Sequence, residues 1–112
     1  MRVLATVVIV VLAVLSCGGT RIKVAPDVSA DEADVVITQV KQLLKSKEYI
    51  TGVRVMLAHN QKNPMRGGKH WPSGRILEVF TKSCMDCHDG RVFRFHQKEG
   101  KWVLIGEGMV HH

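Results

Sequence analysis

Cys84-Met85-Asp86-Cys87-His88 is the string in this sequence whose residue types and spacing carry the most chemistry. Two thiols three residues apart can meet across one turn, so an oxidising compartment would close them into a disulfide. A hairpin stapled by Cys84 and Cys87 would leave His88 as an exposed turn residue. Redox exchange is a second use of the pair. It needs a lowered thiol pKa and normally sits at the start of a helix in a thioredoxin-like fold, which this chain does not offer. Zinc is a third. Two further ligands would have to come from His59, His70, His96, His111 or His112, and no second CxxC or HxxxH spacing supplies them. The sequence has no Ser-His-Asp pattern, no usefully spaced carboxylate pair, no HExxH and no phosphate or dinucleotide fingerprint, so other enzyme chemistry has little to stand on.

The same five residues resemble the CxxCH attachment sequence of c-type cytochromes. The resemblance implies haem c as cofactor, with Cys84 and Cys87 bonded to the haem vinyl groups and His88 as the proximal ligand to the haem iron. A distal ligand would come from Met65, His70, His59 or Met109. A redox partner protein, or a small ligand at iron, would follow. Haem attachment and a plain disulfide therefore stand as the two readings of one motif.

The N-terminus bears on both. Arg2 provides a positive n-region and Val3 to Leu15 an apolar run of thirteen residues, interrupted by Thr6. A membrane-spanning helix needs about 20 such residues, so the run fits the h-region of a secretory signal covering residues 1–16. Val14-Leu15-Ser16-Cys17 resembles the lipobox of bacterial lipoproteins. That resemblance implies cleavage before Cys17, lipid on its thiol, and a protein anchored to a bacterial membrane, facing the periplasm or the exterior. No Asp follows Cys17, which by the Gram-negative sorting rule leans toward the outer membrane. Lipidation also settles the thiol count. With Cys17 given to the lipid, Cys84 and Cys87 are left as a self-contained pair.

At 112 residues the chain has room for one domain. Its net charge is +6, or +5 once Arg2 leaves with the signal. The charges form no block or stripe, which suits a solvated basic surface or anionic lipid and gives no reason to expect nucleic acid as a partner. Residues 17–28 read as the lipidated Cys and a flexible tether, since they have no periodicity and contain Pro26. Residues 29–112 read as a single α+β domain. Ser29 and Glu32 fit a capping box. Ala33, Val36, Ile37, Val40, Leu43 and Leu44 then recur at helical spacing opposite Asp34, Gln39, Lys41, Gln42 and Lys45.

From Gly52 the apolar period falls to two. Val53-Val55-Leu57, Leu77-Val79, Phe93-Phe95 and Trp102 to Ile105 predict four strands, with turns at Asp89-Gly90 and Glu99-Gly100. The expected architecture is one amphipathic helix packed on a four-stranded antiparallel meander. Over residues 29 to 107 this order, ending Lys101-Trp102-Val103-Leu104-Ile105-Gly106, is similar to small cystatin-like and NTF2-like domains, a likeness of architecture that implies no catalytic residue. The connection Asn60 to Gly74 is long and basic. Arg66, Lys69, His70 and Trp71 form a candidate ligand loop there, in which Gly67-Gly68 amides and cations could hold an anion and Trp71 could stack on a planar group. Two functions result: a tethered single-haem protein for electron transfer or ligand binding at iron, or a non-catalytic cystatin-like or NTF2-like binding or structural lipoprotein with a disulfide hairpin. An enzyme is the less expected outcome.

Overall fold

The computed structural model describes residues 21–57 and 71–111. Its elements run in the order β1 (Lys23–Val24), α1 (Ala30–Lys41), β2 (Tyr49–Val55), β3 (Ile76–Lys82), β4 (Asp89–Lys98) and β5 (Lys101–His111). The expected signal segment, Cys17, and Arg66, Lys69 and His70 of the basic loop lie outside the described residues.

The helix begins where the capping box places it. Glu32 N–H donates to the Ser29 hydroxyl at 3.1 Å, and Ser29 N–H donates to the Glu32 carboxylate at 3.0 Å, so two otherwise orphaned helix donors are satisfied. Arg75, from the far side of the chain, pairs with the same Glu32 carboxylate. The Arg75 hydrogen bond, helped by the Ser29 backbone, holds the Glu32 pKa below its ordinary value. Ala33, Val36 and Val40 are buried along one stripe. The helix stops at Lys41, and Leu43 beyond it is exposed.

That stripe lies over β2 and β3 of a five-stranded sheet in the order β1-β2-β3-β4-β5. Val53, Leu77, Val79, Phe93, Phe95 and Trp102 join Val36 and Val40 in the core. Pairing is antiparallel from β2 through β5, as the period-two segments require. Two features correct the expectation of four antiparallel strands after a tether. Lys23 and Val24, placed in the tether by sequence, form a parallel strand against Gly52 and Val53, and Ala25 N–H extends the pairing to Val53 O at 3.0 Å. A Cβ on Gly52 would stand 3.1 Å from the Lys23 carbonyl oxygen, so glycine at this position is what admits β1 so closely. Asp89 and Gly90, expected as a turn, instead open β4 opposite His111 and Val110.

Each long strand carries an adjustment. In β2 the register shifts between Ile50 and Gly52, making Thr51 an extra residue, and in β4–β5 a shift between Arg94 and Phe95 leaves Ile105 unpaired. The second shift lets Trp102 and Leu104 share the helix-facing side with Phe95. Beyond it, Gly106 and Gly108 pair with Arg94 and Val92 on the opposite side.

Candidate functional site

The chemistry-bearing pentapeptide forms the turn between β3 and β4. Ser83 N–H donates to Asp89 O at 2.9 Å and closes the hairpin, while Cys87 N–H donates to Cys84 O at 3.1 Å around Met85-Asp86. The Lys82 ammonium donates to Met85 O at 3.2 Å and ties strand to turn. With their α carbons 5.0 Å apart, Cys84 and Cys87 are joined by a disulfide. This overturns the haem expectation. Both sulfurs are spent on each other, so neither is free to add to a vinyl group, and haem c has no covalent attachment here.

His88 lies exposed beside the turn. Among the described residues no three His, Cys, Asp or Glu side chains gather as a metal site. Met109, once a candidate distal ligand, is an exposed residue of β5 paired in register with Arg91. Met65, His59 and His70 lie outside the described residues. Because the ring closed by the disulfide is so short, its entropic contribution is small. Replacing both cysteines by serine should cost about 2 kcal/mol or less, read as a small shift in a urea midpoint at unchanged slope.

The sheet brings together a second set of polar groups that its strand pattern left unremarked. On the face away from the helix, Arg54, Glu78 and Arg94 stand side by side across β2, β3 and β4. Glu78 is 2% exposed. Its carboxylate accepts from Arg54 Nε at 3.0 Å on one oxygen and from Arg94 Nε at 2.9 Å on the other. Each guanidinium also covers a ring: Arg54 lies 4.6 Å from the centroid of Phe80 and Arg94 4.9 Å from that of Trp71. Trp71, the one described member of the basic loop's candidate set, thus packs under Arg94, half-buried. A shared buried carboxylate and two aromatic faces hold both arginines in fixed positions. Alternation alone puts these three residues on one side of their strands. Their lateral register was the missing information.

Next to Arg54 the same face opens into a groove of about 650 Å³ at the β1 edge. Arg21, Lys23, Arg54 and Lys82 line it, with Tyr49 and Phe80 as aromatic walls, and no Asp or Glu is among its described lining residues. A smaller hollow beside it is bordered by Lys47, Cys84, Met85 and Asp86 and shares Tyr49. The disulfide turn therefore forms a neighbouring rim of the groove. Chemically the groove offers positive charge and stacking surface. It shows no nucleophile paired with a base.

No protein-family model matches the chain, and no curated protein or solved structure matches it either.

Proposed function

We propose that this chain is an exported lipoprotein, held to a bacterial membrane by lipid on Cys17, whose folded part is a non-catalytic binding or structural domain of cystatin-like or NTF2-like kind. The observation that carries the reading is the Cys84–Cys87 disulfide. Disulfides persist in oxidising compartments outside the cytoplasm, which is where a secretory signal of residues 1–16 would deliver the chain. With those two sulfurs joined, Cys17 is the remaining thiol. It stands at the end of the lipobox-like Val14-Leu15-Ser16-Cys17, where lipid would be attached. The order of one helix followed by a β meander supports the likeness of architecture, and the cationic groove supports binding.

Expression of the full chain in a bacterium fed a labelled fatty acid tests this. The wild type should incorporate label and sediment with membranes. Cys17→Ser should lose the label, and alkylation without reduction should then find no free thiol. Equal labelling of wild type and variant, or a thiol at Cys84 or Cys87 open to alkylation in the exported protein, would remove the basis for the reading.

A further inference from the structure

The groove at the β1 edge has a charge, a lining and a place in the chain that together identify an occupant. Arg21, Lys23, Arg54 and Lys82 contribute four cations around Tyr49 and Phe80. The nearest carboxylates cancel them only in part. Glu78 lies behind Arg54, almost wholly buried, and is shared with Arg94, so the two arginines and their one carboxylate keep a net positive charge. Asp86 belongs to the adjoining hollow, with Lys47. Lys82 gives one of its three N–H donors to Met85 O and its charge still faces the groove. Apolar points accompany the cations: Val24 in the lining is 41% exposed, and Met85 in the adjoining hollow is 70% exposed. Cations around aromatic walls with apolar residues at the edge suit a phosphate group attached to a hydrocarbon body.

Chain length fixes where such a group would come from. Arg21 is four residues after Cys17, a span of at most about 14 Å when fully extended. A lipid on Cys17 would hold the β1 edge, and the groove with it, within reach of the headgroup layer. We propose that this groove seats the phosphate of an anionic phospholipid of the membrane that carries Cys17, an inference that rests on the lipoprotein reading. Beside such a lipid anchor, a cationic surface adds attraction to anionic headgroups and selects which face of the domain meets the membrane. The domain would then lie on the membrane in one orientation, β1 edge inward and the β4–β5 turn outward.

The test reconstitutes the full chain into vesicles of phosphatidylcholine alone, or with about a quarter phosphatidylglycerol, and labels lysines with a membrane-impermeant amine reagent. Peptide mass spectrometry then reads each lysine. In the anionic vesicles, labelling of Lys23 and Lys82 should fall at least about threefold, while Lys98 and Lys101 at the β4–β5 turn keep their neutral-vesicle rates. No change at Lys23 and Lys82 would overturn the proposal, and so would an equal fall at Lys98 and Lys101, which is general attraction of a basic protein. A third arm adds glycerol phosphate to neutral vesicles. Equal protection there would assign the groove to a soluble phosphate and overturn the membrane source. The intact mass of Cys17 keeps the two readings apart: lipid present without protection sinks the groove alone, and protection without lipid sinks the tether alone.

Discussion

Replacing Glu48 by Ala is expected to lower the unfolding free energy by about 3 to 5 kcal/mol, measured by urea denaturation at neutral pH. Glu48 precedes β2, and its side chain is 2% exposed. One carboxylate oxygen accepts from Thr81 Oγ1 at 2.6 Å and from Arg91 Nε at 2.8 Å; the other accepts from Lys45 N–H at 3.0 Å and pairs with an Arg91 terminal nitrogen. Arg91 is itself 11% exposed and reaches on to Leu43 O at 2.8 Å and Glu107 at 3.2 Å. Removing the carboxylate leaves a desolvated guanidinium with the half-exposed Glu107 as its remaining carboxylate. That orphaned charge, more than the lost attraction, sets the size of the effect. Substituting Glu48 and Arg91 together by Met should therefore cost less than Glu48→Ala alone.

The same site sets an acid limit. The Arg91 hydrogen bonds, assisted by Thr81 and the Lys45 backbone against the opposing effect of burial, hold the Glu48 pKa down from 4.5 to about 2. A folded-state pKa below the unfolded one means that the unfolded chain binds the proton more readily. The stabilisation is thus complete above pH 4.5 and is lost as pH falls through 2. The shift corresponds to roughly 3 kcal/mol at full effect. Glu32, lowered by Arg75, acts in the same direction. Urea midpoints between pH 5 and pH 2 should drop more steeply for the wild type than for Glu48→Ala, and parallel slopes would contradict the assignment.

How far sequence alone reaches differs by element, for physical reasons. The helix start was legible because the Ser29 and Glu32 hydrogen bonds are local, spanning three residues. Its end was less so. Leu43 and Leu44 continue the apolar spacing, but the chain turns away after Lys41 to bring Glu48 beneath Arg91. The cores of β2, β3 and β4 follow from period two, since each has one side under the helix. In contrast, β1 has two residues and no period to detect. It docks against Gly52, about thirty residues later, where a Cβ would crowd the Lys23 carbonyl oxygen at 3.1 Å. The far half of β5 was hidden because Gly106 and Gly108 are poor strand formers in isolation. In place, a Cβ on Gly108 would meet Arg94 Nη1 and Val92 Cγ1 at 3.4 Å, an ordinary contact, so this glycine sits in the strand by its pairing with Val92 and not for want of room.

The site divides the same way. CxxCH spacing is compatible with haem or a disulfide, and the decision belongs to the backbone around it: a short hairpin that turns within Ser83 to His88 brings the two sulfurs together. The cationic groove could not be read from composition. Its four cations come from residues 21, 23, 54 and 82, and only the parallel docking of β1 beside β2 gathers them.

Phe93→Ala is the second large loss expected, about 3 to 5 kcal/mol by the same measurement, with Phe93→Leu losing less than half as much. Phe93 is fully buried at the centre of the sheet, paired with Val79 on β3 and Glu107 on β5. The core it belongs to is built from one helix and one sheet face, so little else can close a cavity left by the ring. The Arg91 guanidinium lies 4.7 Å from the ring centroid, which joins the ring to the Glu48 network. Removing the ring and the carboxylate together should therefore fall short of the sum of the two single losses by 0.5 kcal/mol or more, roughly the scale for residues that share a partner. Strict additivity would mean that the ring packs independently of the ion pair. Because a domain of this size is stabilised by only about 5 to 15 kcal/mol, Phe93→Ala removes a large share of the total, and its urea midpoint should fall accordingly.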